Sequence, residues 1–372
     1  MAQTPEKTGR EILPIPDIPT KGKMALDARK AEFPAYEPLR PPEGAPNVVI
    51  VLIDDMGFGC PSANGGPCNM PAMEKVAERG LLYNRFHTTA LCSPTRQALL
   101  TGRNHHSAGM GSVAEVSTGI PGNDSVRPNT VATVAELLRL NGYNTGAVGK
   151  MHQTPVWEVS MSGPFDRWPT GDGFEKFYGF VGGETNQWAP TLFLGTSPVE
   201  PWGTAEDGYH FSEDIVDKAI AYMRGQHTMT PDKPFFLYVS FGATHAPHHV
   251  PKEYIDKYKG QFDKGWDAVR DQTLANMKAK GIVPADTELT GRPEGVEAWD
   301  DLNDTQKTVY ARLMETYAGF AEHTDAQVMR LIDTLDEMGQ YEDTIFIYIA
   351  GDNGASAEGG LDGTFNELMA LN

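Results

Sequence analysis

The chain has 372 residues, 40% of them hydrophobic, 39 glycines, 27 prolines and a formal net charge of −19. Such a length and apolar content can bury a large core and exclude a disordered or fibrous chain. The acidic balance argues against nonspecific nucleic-acid or anionic-membrane binding, so any anion site needs locally built positive charge.

Three cysteines, Cys60, Cys68 and Cys92, are too few for a disulfide framework, and Cys60 and Cys68 read as isolated thiols. The first 33 residues carry no apolar stretch followed by a cleavage site, which predicts no secretory signal and a cytoplasmic default, with the periplasm as the alternative. The longest apolar runs, such as Val48 to Ile53, are far below the ~20 residues needed to span a bilayer, so a soluble protein is expected.

Residues 1–46 hold nine prolines among alternating charges and predict an extended arm. From Val48 to Ile53 six aliphatic residues run without alternation, the pattern of a strand buried on both faces of a parallel sheet. The run ends in Asp54-Asp55, and adjacent carboxylates past a strand's C-terminal end suit a bound cation as well as an ordinary strand-to-loop transition. Pro71 to Arg79 predicts a helix stopped by Gly80, and Leu81 to Phe86 a short strand.

Next comes Cys92-Ser93-Pro94-Thr95-Arg96-Gln97-Ala98-Leu99-Leu100-Thr101-Gly102-Arg103. Pro94 suits the start of a helix and Gly102 its end, which places Cys92 at a helix N-terminus, where free N–H groups favour an anion and lower a thiol's pKa. Arg96, one turn on, adds a cationic fork on the same face; a plain buried cysteine remains the other reading.

Thr130 to Leu140 predicts a helix, and Tyr143 to Gly149 a strand that hands Lys150 and His152 to its C-terminal edge. Residues 160–210, rich in Gly, Pro and Trp, read as a surface excursion with aromatic anchors. Ser212 to Arg224 predicts a helix capped by Ser212. Pro234 to Phe241 is another buried strand, followed by His245, His248 and His249, whose clustering suits a metal site or mere exposure. Residues 251–293 read as loops and short helices, 304–338 as helix broken near Gly319, and Thr344 to Ala350 as the last strand, ending in Asp352-Asn353.

Four apolar strands thus end in polar cassettes: Asp54-Asp55, Lys150/His152, His245 and Asp352-Asn353. In a mostly parallel sheet flanked by helices, all four edges face one crevice with the Cys92 helix start. Asp54, Asp55, Asp352 and Asn353 offer only oxygen ligands, which suits a hard divalent cation, Ca²⁺ ahead of Mg²⁺.

The string Cys92-x-Pro94-x-Arg96, followed by Thr101-Gly102-Arg103, resembles the signature of the type I sulfatases. The resemblance covers residues 47–372 and implies an alkaline-phosphatase-like α/β fold and an arylsulfatase activity on small-molecule sulfate esters. It also implies conversion of Cys92 to formylglycine by a formylglycine-generating enzyme, and one Ca²⁺ on Asp54, Asp55, Cys92, Asp352 and Asn353. By the same resemblance Arg96 holds the aldehyde hydrate, Lys150 and His152 serve the sulfate site, and His245 protonates the leaving alcohol. Met151 stands where the family usually has Trp, with the Lys and His spacing intact.

The chain ends nineteen residues after Asn353, which against that family predicts a truncated catalytic domain without its C-terminal subdomain or a further active-site lysine. The same signature serves phosphonate monoester and phosphodiester hydrolases of the superfamily, and an inactive fragment that keeps the metal is a third reading.

Overall fold

The structure is a computed structural model that describes residues 22–33, 39–356, 360 and 363. Two compact units divide between Arg40 and Pro41. In the first, a β-bridge joins Lys23 to Glu32 around a single 3₁₀ turn, Ala28–Lys30, capped by Asp27. Most of the expected N-terminal arm lies outside the described residues.

The second unit is built on a seven-stranded sheet. Its elements in chain order are β1 (Asn47–Leu52), α1 (Pro71–Arg79), α2 (Cys92–Thr101), α3 (Val134–Arg139), β2 (Asn144–Lys150), β3 (Lys176–Phe180), β4 (Leu192–Leu194) and β5 (Ser197–Val199). There follow α4 (Phe211–Met229), β6 (Phe235–Ser240), α5 (Lys252–Asp256), α6 (Gly265–Ala279), α7 (Asp304–Glu337) and β7 (Thr344–Ile349). The strand order is β5-β4-β3-β2-β6-β1-β7; β3, β2, β6, β1 and β7 are parallel, and β4 and β5 antiparallel.

The unalternating apolar runs have the cause expected of them, burial on both faces. Val49, Val51 and Ile53 pack into a core with α4, α7 and α1, whereas Ile50 and Leu52 face a second core that includes Leu100 of α2 and Ala135 of α3. Each such side chain contributes roughly 1.5–3 kcal/mol on burial, so the two-sided sheet is the main apolar store of the fold. β7 closes one edge, and its Ile345 and Ile347 are exposed.

Register sets up the site. Leu52 of β1 is level with Ser240 of β6 and Ile349 of β7, and Gly149 of β2 with Ser240, so the residues that follow emerge side by side along one edge. Two glycines permit the crowding there. Gly149 (φ +98°) and Gly351 (φ +91°) take left-handed backbone, and a Cβ on either would lie 1.8 Å from a carbonyl oxygen, of Ser240 and of Met56 respectively.

Several sequence expectations are corrected. Leu81 to Phe86 is irregular and exposed rather than a strand. Residues 160–210 are not only surface: they supply β3, β4 and β5, and Trp168 is fully buried with its indole N–H donating to Glu158 O at 2.9 Å. His210, not Ser212, caps α4, its ring nitrogen accepting from Ser212 N. Helix α7 runs through Gly319 unbroken, because the missing side chain admits the α5 backbone: a Cβ there would lie 2.8 Å from Ile255 N. Cys60 and Cys68, by contrast, are free thiols as expected. Among the described residues no helix is long and apolar enough to cross a membrane.

Candidate active site

Cys92 is the first residue of α2, after Leu91, an extended N-cap residue without a side-chain cap bond, and Gly102 (φ +62°) closes the helix with its N–H on Ala98 O. Residues Cys92 through Gln97 are all buried, so the helix start points into protein. Its partially positive end and free N–H groups provide the local field that the acidic chain as a whole does not.

Arg96, one turn on, is fully buried between two carboxylates. Its Nη2 lies 2.7 Å from Asp352 Oδ2 and 3.1 Å from Asp54 Oδ1, its Nε donates to Asp352 Oδ2 at 3.0 Å, and its Nη1 donates to Ser240 Oγ and Lys150 O. Lys150, also fully buried at the end of β2, puts Nζ 2.5 Å from Asp54 Oδ2. A planar fork meeting two carboxylates and a hydroxyl is what a guanidinium can do and an ammonium cannot.

Asp54, Asp55 and Asp352 bring one carboxylate oxygen each within 4.8 Å of the others, and all three are buried. The Asp55 N–H donates to Asp352 Oδ1 at 3.2 Å, and Asn353 Nδ2 to Asp55 Oδ1 at 2.7 Å. Asp55 Oδ2 and Asn353 Oδ1 are buried without a hydrogen-bond partner. Buried oxygens left so are costly unless a cation or water completes them. Three carboxylates and an amide oxygen, with two orphaned atoms among them, fit a hard divalent ion. Backbone bonds hold the ligand loops in place: Thr244 N and Oγ1 donate to Asp54 O at 2.7 and 2.9 Å, and Tyr317 Oη to Asp55 O at 2.9 Å.

His152 stands at φ +50° and puts Nδ1 3.0 Å from Cys92 Sγ and Nε2 2.8 Å from Glu115 Oε2. His245 Nε2 lies 3.6 Å from Asp55 Oδ2, and its Nδ1 is 2.7 Å from Ala246 O. His248 and His249 do not join this group; the His248 ring sits on Tyr317 and Phe320.

Electrostatics follow from the packing. Burial pushes Asp54 up, but Lys150 and Arg96 outweigh it and hold the carboxyl below its usual range. Asp352 goes the other way, raised by burial and by the neighbouring Asp54 charge. Burial raises the Cys92 thiol, yet His152 and Lys150 together bring it below a free cysteine. Burial disfavours the charged His152 ring, and Cys92 and Glu115 reverse this, lifting it to about 9, while Glu115 falls to about 2 against its own desolvation. The arrangement can hold an anion over a helix start, between two fixed cations and a cation cradle, with imidazoles on two sides.

Every residue expected from the sequence lies in this one cluster: Asp54, Asp55, Cys92, Arg96, Lys150, His152, His245, Asp352 and Asn353. Glu115 and Ser240 were missed. Ser240 had a signal, a hydroxyl inside the apolar run of β6; Glu115 sits in a turn, Ala114–Val116, with no periodic pattern to expose it.

Known proteins share this chain's sequence pattern and fold. The sulfatase family model matches residues 46–368, and the chain belongs to the sulfatase family. It is 33% identical over 320 residues to an arylsulfatase of Klebsiella aerogenes, covering 84% of this chain and 66% of that one. It is 31% identical to an uncharacterized sulfatase of Schizosaccharomyces pombe, covering 83% of this chain and 58% of the relative. The crystal structure of a putative sulfatase of Bacteroides fragilis shares the fold at TM-score 0.59 and 19% identity, over 87% of this chain and 66% of that one. The chain therefore spans less than two thirds of the length of these curated relatives.

Proposed function

We propose that the chain carries the reaction centre of a sulfate ester hydrolase acting on small-molecule, aryl-type sulfate monoesters. The observation that carries this reading is the meeting of the Cys92 helix start with Arg96, Lys150 and the three buried aspartates. Family membership and the arylsulfatase relative support it.

In this reading a formylglycine-generating enzyme converts Cys92, and the residue then supplies a hydroxyl nucleophile next to a Ca²⁺ that would lower its pKa and draw charge from the sulfate oxygens. Asp54, Asp55, Asp352, Asn353 and residue 92 would hold the ion. Asp54 and Asp352 also fix Arg96, so the guanidinium is oriented before substrate arrives. Lys150 Nζ, pinned by Asp54, stabilises negative charge on the transferring group. His245, close to Asp55, gives a proton to the departing alcohol oxygen. His152 Nδ1 takes a proton from the side chain at position 92 when sulfate is released.

Turnover of an aryl sulfate and of a phosphonate monoester by the matured full-length protein tests the proposal. Preference for the sulfate is expected; preference for the phosphonate, or no turnover of either, would overturn it. Cys92→Ser should accept one sulfo group and stop, so sustained turnover by that variant would contradict the role of residue 92.

A further inference from the structure

His152 lies on left-handed backbone, which a non-glycine residue keeps only where its surroundings hold it. Its ring is fixed at both nitrogens: Nδ1 is 3.0 Å from Cys92 Sγ and Nε2 is 2.8 Å from Glu115 Oε2. An ionised carboxylate only accepts hydrogen bonds, so Glu115 requires the proton on Nε2, and the neutral ring then turns the Nδ1 lone pair toward residue 92. The Glu115 side chain is 27% exposed, and its turn is tied to α2 by Ala114 N donating to Ser93 Oγ at 3.4 Å. Gly183 covers the pair from another loop: a Cβ there would lie 2.9 Å from His152 Cε1 and 3.3 Å from Glu115 Oε1.

We infer that Glu115 is a positioning residue: by accepting from Nε2–H it fixes His152 in the tautomer whose Nδ1 can receive a proton from the side chain at position 92. The inference rests on the proposed function for its catalytic consequence. In that step the O–H bond at residue 92 breaks and its proton goes to His152 Nδ1. The freed electron pair forms the C=O bond, and the C–O bond to sulfate breaks with its pair leaving on sulfate. No oxidant or reductant is needed. The arrangement has the logic of a nucleophile, a base and an orienting carboxylate.

Two readouts test it. In Cys92→Ser protein with ¹⁵N-labelled histidine, two-bond ¹H–¹⁵N correlation at pH 10, above the value of about 9 to which the ring is lifted, reports the tautomer of the neutral His152. The Nε2–H form is expected there and in the added variant Glu115→Asp, which keeps an acceptor-only carboxylate. Glu115→Gln should lose it, because an amide donates to Nε2 as readily as it accepts. An unchanged Nε2–H form in Glu115→Gln would overturn the assignment.

In the matured full-length protein, Glu115→Gln should lower kcat on the order of 10²-fold, the scale of a displaced general base. KM should stay within about threefold, and Glu115→Asp should recover to within about tenfold of the parent. Equal kcat in Glu115→Gln, or Glu115→Asp as poor as Glu115→Gln, would contradict it. Should Glu115→Gln fail to fold, Gly183→Ala crowds the same hydrogen bond from both sides while leaving the carboxylate chemically intact, and carries the same two expectations. The tautomer readout needs neither metal nor matured residue, so a protein without sulfatase activity would sink the proposed function and leave this inference standing on its own result.

Discussion

Arg96→Met isolates the contribution of the buried fork. The side chain is fully buried, with ion pairs at 2.7 and 3.1 Å to Asp352 and Asp54 and hydrogen bonds to Ser240 Oγ and Lys150 O. Methionine roughly fills the volume but leaves Asp352 without its cation and Asp54 with Lys150 alone. Removing one partner of a buried pair costs about 3–5 kcal/mol, and a stranded acceptor about 1–3 kcal/mol more. Part of this is recovered as Lys150 shifts, so a net loss of about 5 kcal/mol is expected, a large share of a typical 5–15 kcal/mol stability. Urea unfolding of the purified variant measures it, and Ca²⁺ should narrow the deficit by neutralising the stranded carboxylates. Arg96→Met/Asp352→Asn should be more stable than the two single losses sum to, by at least about 1 kcal/mol. A loss below about 1 kcal/mol for Arg96→Met would refute the argument that this guanidinium holds the carboxylates together.

Chelator should lower the melting temperature and Ca²⁺ restore it, whereas Asp55→Asn should blunt the response; a chelator-insensitive protein with full Ca²⁺ content would contradict the assigned ligands. Gly351→Ala forces a side chain onto Met56 O at left-handed backbone, and should cost about 3 kcal/mol or more and weaken Ca²⁺ binding, read by calorimetry. Burial, helped by the neighbouring His323, depresses His210 to about 3; its Nδ1 must stay unprotonated to accept from Ser212 N, while Nε2–H donates to His249 O. The folded pKa lies below the unfolded value near 6.5, so this stability is complete above about 6.5 and is lost as pH falls toward 3, on the order of 5 kcal/mol in all. His210→Asn keeps a cap acceptor without the titration and should flatten the melting temperature between pH 6.5 and 4; an unchanged slope would contradict the assignment.

The legible part of the fold was its parallel sheet. Strands buried on both faces read as unbroken apolar runs, and Val48 to Ile53 or Pro234 to Phe241 need no partner to be recognised. The residues after each run were legible as a candidate site only together, because one polar cassette suits an ordinary strand end while four on one sheet edge, beside the Cys92 helix start, converge on a single crevice. Leu81 to Phe86 misled because apolar content alone does not say what covers it, and Leu81 and Tyr83 are exposed. Gly319 misled because propensity treats glycine as a breaker, while here its missing Cβ lets α5 approach α7. Glu115 was invisible because its meaning lies wholly in a tertiary contact with His152, 37 residues away.

The mass of the tryptic peptide spanning Phe86 to Arg96, from protein isolated from its own cells, tests the central claim most directly. The account predicts an aldehyde in place of the Cys92 thiol. An unmodified thiol in active protein would contradict it, since the nucleophile would then be something other than the converted residue at the start of α2.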